Sequence, residues 1–139
     1  MDGAIKRIER VVGHYVGARY HDVVEVGIGR NFTAAEVIAS SGAQVRAVDI
    51  RATGDGPISV VWDDVFSPTL SLYEGADLVL AIRPGVEMVP PLIALARRCD
   101  CDLLVYHLGD EVYLDGGERI PIEGAILHRY HRGGRLEEG

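Results

Sequence analysis

The chain is poor in the residues that mark a special chemistry. Its two cysteines, Cys99 and Cys101, stand one residue apart, with no histidine or second cysteine pair at metal-ligand spacing around them. A disulfide scaffold is therefore excluded, no metal site is expected, and both thiols are read as reduced. No apolar run approaches the roughly 20 residues that span a bilayer, and the first residues lead into an amphipathic pattern rather than a signal-peptide core. The expectation is a cytoplasmic protein with no membrane partner. Positive charge is also scarce: Lys and Arg number 14 against 21 Asp and Glu, for a net charge of −7. Such a balance repels a polyanion at long range and argues against a dedicated nucleic-acid surface.

What is present suits an ordinary globular core. The 139 residues are 47% hydrophobic and 25% charged, which fits one domain spanning residues 1–139. Residues 4–16 carry apolar side chains, among them Ile8, Val12 and Val16, at helical intervals and run to Gly17 as a stop. Val23 to Val26 reads as a buried strand that enters the turn Gly27-Ile28-Gly29-Arg30-Asn31. Thr33 and Glu36 then have the spacing of a capping box, with Phe32 and Val37 as its hydrophobic staple, so a second helix is expected up to about Gly42. Further strands are read at Gln44–Asp49, Ile58–Trp62, Ala76–Ile82 and Asp102–His107. A helix is expected over Phe66–Tyr73, and another from Pro90 to about Arg98.

Strands that alternate with helices require right-handed crossovers and a parallel sheet. The predicted fold is α/β, a Rossmann-like, doubly wound, mostly parallel sheet. Val112–Leu114, Ile120–Ile122 and Ala125–Tyr130 read as strands that close it with an antiparallel C-terminal hairpin. The sequence leaves the partner open, a homo-oligomer or another protein, and does not decide whether Val112–Tyr130 forms a subunit contact.

Ligands of such sheets sit beyond the carboxyl ends of the strands, where the strand order reverses. The sequence places its candidates there. Glu25, Gly27, Gly29 and Asn31 close the first strand, and glycine lets a ligand approach the backbone. Asp49 ends the second strand, where a carboxylate accepts hydrogen bonds from both hydroxyls of a ribose; its alternative is a solvated strand end. Asp64 ends the third and can accept from the exocyclic amine of adenine, while Asp63 points to the other face if the pleat persists. The sequence does not decide which of the two faces the pocket, and the alternative is an exposed acidic turn that opens the Phe66–Tyr73 helix. Arg83 follows the fourth strand and suits a carboxylate or phosphate of a substrate, unless it pairs with Glu87.

On Glu25-Val-Gly27-Ile-Gly29, Asp49 and Asp64 the chain resembles the class I S-adenosylmethionine-dependent methyltransferases over about residues 4–107. The resemblance implies S-adenosylmethionine as cofactor, with Glu25, Gly27 and Gly29 around its methionine and ribose portions. Asn31 stands where that family usually has a third glycine, and no long C-terminal strand pair is evident. Across nearly its whole length, through the same motif together with Ala47-Val-Asp49-Ile, Asp63-Asp64-Val-Phe66 and Ile82-Arg83-Pro84 with Glu87, the chain also resembles the archaeal uncharacterised protein family 0146. That second resemblance implies the fold and no reaction.

Two other readings stand beside the methyltransferase-like one. Gly27-x-Gly29 with Asp49 also serves an NAD(P)-binding oxidoreductase, although Phe32 occupies the place of the third glycine of that motif. A regulatory or scaffold domain without catalysis is the other. No catalytic residue is assigned. The basic tail His128 to Arg132, with Arg135 beyond and diluted by Glu137 and Glu138, reads as a solvated end. His107 at the fifth strand end reads as a structural histidine.

Overall fold

The computed structural model describes residues 2–52 and 56–134, and of residues 2–5 the backbone only. Arg135, Glu137 and Glu138 lie outside the described residues. In chain order the elements are α1 (Asp2–Gly17), β1 (Asp22–Val26), α2 (Thr33–Ser40), β2 (Gln44–Asp49), β3 (Val60–Trp62), β4 (Leu78–Ile82), α3 (Val89–Cys99), β5 (Asp102–Tyr106), β6 (Glu118–Ile122) and β7 (Ala125–His131). The strands form one sheet in the order β3-β2-β1-β4-β5-β7-β6. β1 to β5 pair in parallel, and β7 runs antiparallel to both β5 and β6. The alternation of strands and helices thus yields the α/β, mostly parallel sheet with antiparallel C-terminal strands that it predicts.

Both faces of the sheet are covered, which is why β1, β4 and β5 read as continuous apolar runs rather than alternating ones. Val12 and Val16 of α1 and Ile38 of α2 pack on Val23, Leu78, Leu80 and Leu104. On the opposite face Leu92, Leu95 and Ala96 of α3 cover Val24, Val79 and Leu103. The two helices that share a face approach closely at Gly13, where an added Cβ would stand 2.8 Å from the Cβ of Val37. α3 starts with proline in its first turn and stops at Asp100, whose φ of 55° no helix can continue.

Four details differ from the sequence reading. Thr33 is not the cap of α2: Phe32 takes that position without a side-chain cap, and the Thr33 N–H donates to Asn31 Oδ1 at 3.2 Å. The asparagine captures that amide through a local turn, so Thr33 is drawn inside the helix and no capping box forms. The Phe66–Tyr73 segment is helical only as a 3₁₀ turn over Leu70–Tyr73. Asp64 Oδ1 takes the Phe66 N–H at 3.0 Å, Asp63 Oδ1 takes the Thr69 N–H at 3.0 Å, and Pro68 supplies no N–H, so a regular ladder cannot start.

The third strand is confined to Val60–Trp62. Val112–Leu114 is not a strand either, because the Tyr113 N–H donates to the Tyr130 hydroxyl at 3.0 Å and Leu114 turns to φ 53°. A C-terminal strand pair is nevertheless present: β6 and β7 pair from Glu118↔Arg129 to Ile122↔Ala125 around Glu123-Gly124, and β7 inserts between β5 and β6. Among the described residues no helix is long and apolar enough to cross a membrane.

Leu104 is wholly buried at the centre of this packing. Leu104→Ala is expected to cost about 3 kcal/mol of unfolding free energy. Urea denaturation measures it; a loss under about 1 kcal/mol would mean the core does not centre there.

Candidate functional site

β1 has β2 on one side and β4 on the other, so the strand order reverses around it and a crevice opens at the carboxyl edge. The turn that leaves β1 there holds Gly27 at φ 75° and Gly29 at φ 60°, both left-handed. A Cβ on Gly29 would meet nothing within 4 Å, so this backbone faces open space. The Gly29 N–H donates to Asp49 Oδ2 at 2.7 Å, and Asp49 Oδ1 accepts the Arg51 N–H at 2.8 Å. The glycine turn and the acid at the end of β2 are therefore joined directly. An ionised carboxylate offers about four acceptor positions, so Asp49 keeps capacity for further donors.

Beside this junction lies a cavity of about 240 Å³ whose walls include Glu9, Glu25, Gly27, Asn31 and Arg83. Neither Gly29 nor Asp49 is in its wall; Asp49 is tied to the turn through the Gly29 N–H. Glu25 is 3% exposed and Glu9, which α1 lowers onto the same face of the sheet, is 1% exposed. Arg83 pairs with Glu9 Oε2. The Oε1 atoms of Glu9 and Glu25 are buried without a hydrogen-bond partner. Burial, reinforced by the neighbouring charge of Glu9, pushes the Glu25 carboxyl up to about 8.

Arg83 itself is held at φ 56°, a conformation that costs a non-glycine residue about 1–3 kcal/mol. Its N–H donates to the Tyr106 carbonyl at 2.6 Å, and its guanidinium lies 5.2 Å from the Tyr106 ring. Its ion pair is with Glu9 and not with Glu87, so the helix-entry pair considered from the sequence is replaced by one that lines the cavity.

Asp63 and Asp64 separate cleanly. Asp63 is buried and accepts from the Tyr73 hydroxyl at 2.8 Å as well as from Thr69, which commits it to the interior. Asp64 is half-buried and accepts the Phe66 N–H. Trp62, level with Asp49 in the β2–β3 register, and Ile50 leave apolar surface exposed beside that edge. A second cavity, of about 490 Å³, adjoins across Asn31 and is lined by Lys6, Arg30, Phe32, Glu36 and Pro57.

His107, at the end of β5, is buried with Nε2 2.6 Å from the Tyr130 hydroxyl, and burial together with His128 holds it below the usual histidine range. With Tyr113 it pins the 108–117 loop. His128 and His131 turn their Nδ1 atoms to the Gly116 and Cys101 carbonyls, and no metal-binding group of His, Cys, Asp or Glu occurs among the described residues. Glu9 is the site residue that the sequence reading misses. The signal was available, because an acid at position 9 interrupts the apolar stripe of Ile8, Val12 and Val16.

The strand order defines a Rossmann-like protein of the methyltransferase fold. An S-adenosyl-L-methionine methyl transferase from Silicibacter pomeroyi superposes with a TM-score of 0.58 at 18% identity, over 93% of this chain and 96% of that one. A SAM-dependent methyltransferase from Archaeoglobus fulgidus does so with a TM-score of 0.57 at 15% identity. The match covers 76% of this chain and about half, 54%, of that enzyme.

The chain belongs to the uncharacterised protein family UPF0146, whose family model matches residues 9–126. The UPF0146 protein of Archaeoglobus fulgidus is 37% identical over 100 residues, covering 70% of this chain and 76% of the relative. That of Pyrococcus horikoshii is 32% identical over 114 residues, covering 78% and 86%.

The Glu25 environment has a sign that can be measured. Unfolded, the carboxyl ionises near 4.5; folded, near 8. Between these values the folded state holds a proton that the unfolded state lacks, so stability present below pH 4.5 is lost as pH rises through 8. Denaturant unfolding of the ligand-free protein across this window is expected to show the decline, and Glu25→Gln to flatten it. Parallel profiles for wild type and variant would contradict the assignment.

Proposed function

We propose that the protein binds a nucleoside cofactor, S-adenosylmethionine in preference to a dinucleotide, across the carboxyl edge of β1 and β2. The observation that carries this reading is the pair of buried carboxyl groups, Glu9 and Glu25, each with an Oε1 that lacks a partner, in the cavity that adjoins the Gly29–Asp49 junction. Unpartnered carboxyl oxygens are matched by a ligand that brings hydrogen-bond donors, such as an ammonium group, and not by a diphosphate, which offers acceptors only. Phe32 supports the same choice. It stands where a dinucleotide site favours a third glycine, and its ring packs so tightly that a Cβ on Gly56 would lie 2.9 Å from Cζ. The methyltransferase neighbours lend the reading further support.

In this reading Gly27 and Gly29 let the ligand lie against the backbone, and Asp49 accepts from the ribose hydroxyls. Asp64 accepts from the adenine amine, with Ile50 and Trp62 as apolar flanks for the base. Glu25 receives the ammonium of the methionine portion, and Asn31 borders both cavities beside it. When bound, the cofactor supplies an electrophilic methyl group. Transfer from it asks the protein mainly to align a nucleophile about 3 Å away, and a methyltransferase needs no catalytic triad for that.

Thermal shift against S-adenosylmethionine, S-adenosylhomocysteine, NAD and NADP tests the proposal. A bound ligand at a hundred times its Kd adds about 2.7 kcal/mol to folded-state stability. Stabilisation by the two S-adenosyl compounds, abolished by Asp49→Ala, is expected. A response to NAD or NADP alone would favour the oxidoreductase-like reading, and no response to any of the four would favour a scaffold domain.

A further inference from the structure

Burying one carboxyl group is costly, and a fold keeps two side by side only against a gain elsewhere. Glu9 and Glu25 reach one cavity from different layers, the first from α1 and the second from β1 beneath it. One guanidinium, that of Arg83, pairs with Glu9 alone. Each acid keeps a buried Oε1 without a partner. Packing gives no reason for this arrangement, because the surface of α1 around Glu9 is lined by Ile8, Val12 and Val16 and would accept an apolar side chain. The unpartnered oxygens call for a small donor with several hydrogens, and a positive charge on it would let Glu25 ionise. A primary ammonium group has these properties, whereas water can donate to both oxygens but brings no charge.

Resting on the nucleoside reading above, we propose that Glu9 is a specificity-determining residue of this cavity: with Glu25 it selects nucleosides that carry an amino-acid end, through their primary ammonium group. Charge balance gives the idea its form. In the ligand-free protein at neutral pH, Glu25 holds a proton beside the Glu9–Arg83 ion pair, so the cluster is neutral. Lys6, Arg30 and Glu36 line the neighbouring cavity across Asn31, and Asp49 is bound to the Gly29 N–H of the same turn. An ammonium group that enters brings one positive charge, and Glu25 releases its proton to solvent. The charge that the ammonium brings to these groups is offset by the proton lost from Glu25, and the Glu9–Arg83 ion pair is kept. Binding therefore releases about one proton below pH 8. Affinity for the amino-acid-bearing ligand rises with pH up to that point.

The test compares S-adenosylhomocysteine with 5′-methylthioadenosine, a thioether nucleoside that lacks the amino-acid end, by calorimetry on the full chain. Titrations below and above about pH 8, in buffers of different ionisation heat, count the protons released. The wild type is expected to prefer S-adenosylhomocysteine by about tenfold or more, the scale of a charge-assisted hydrogen bond. That preference should come with proton release, and 5′-methylthioadenosine should show neither effect. Glu9→Gln keeps the shape and an acceptor for Arg83. It should remove most of the preference while leaving affinity for 5′-methylthioadenosine within about twofold, and Glu9→Asp should recover part of it.

Equal discrimination by wild type and Glu9→Gln overturns the proposal and leaves the nucleoside reading intact. If neither nucleoside binds the wild type, both readings fall together. Should Glu9→Gln not fold, the wild type decides alone: equal affinity for the two nucleosides, or a flat pH profile for S-adenosylhomocysteine, overturns the role of Glu9.

Discussion

The reversal of strand order at β1 is the constraint on which the candidate site depends. With β2 on one flank and β4 on the other, the turn after β1 is left open at the carboxyl edge. Register does the remaining work. Val26 stands opposite Val48, so Asp49 lies one residue beyond and meets the glycine turn. Glu25 stands opposite Leu80, so the end of β4 carries Arg83 past the same edge. Residues far apart in the chain thus arrive within one crevice because parallel strands share a direction, and the β-ladders that align them belong to the most buried part of the molecule.

The two edges of the sheet treat their acids differently. At the amino edge Asp77 accepts from the N–H groups of His21 and Asp22, and Asp102 accepts from Gly133 and from the Tyr20 hydroxyl. Arg46 with Asp22, and Arg129 with Asp102 and Glu118, complete that side. These carboxylates are satisfied, and they fasten strand ends. At the carboxyl edge Glu9 and Glu25 keep the two buried side-chain oxygens that lack a partner among the described residues. An interior tolerates such orphans at a cost of about 1–3 kcal/mol each. Their location beside the open turn, on the ligand edge of the fold, gives them a chemical meaning that a random packing fault would not have.

Much of this was legible in the chain itself, and the exceptions have a common cause. β2 ends where the apolar run ends, at Asp49, and α3 begins at its prolines. The capping box at Thr33 and the helix over Phe66–Tyr73 were misread because Asn31, Asp63 and Asp64 took backbone amides for themselves. Side chains of that kind compete with the helix over a few residues, and sequence spacing does not say which partner wins. Asp63 and Asp64 are neighbours of one residue type, yet one is buried against Tyr73 and the other reaches the surface. Only the path of the chain after β3 separates them.

The sequence by itself determined the architecture: apolar runs of strand length alternating with amphipathic helices admit few arrangements besides a doubly wound parallel sheet. It also set the glycines and Asp49 at strand ends, since those positions follow from where hydrophobic periodicity stops. The tertiary structure alone decided which charges share a dry space. Glu9 meets Glu25 because α1 crosses the sheet at the place where Gly13 lets it settle against α2, and Arg83 joins them because β4 lies next to β1. Burial and charge pairing are properties of that three-dimensional contact, and no local pattern encodes them.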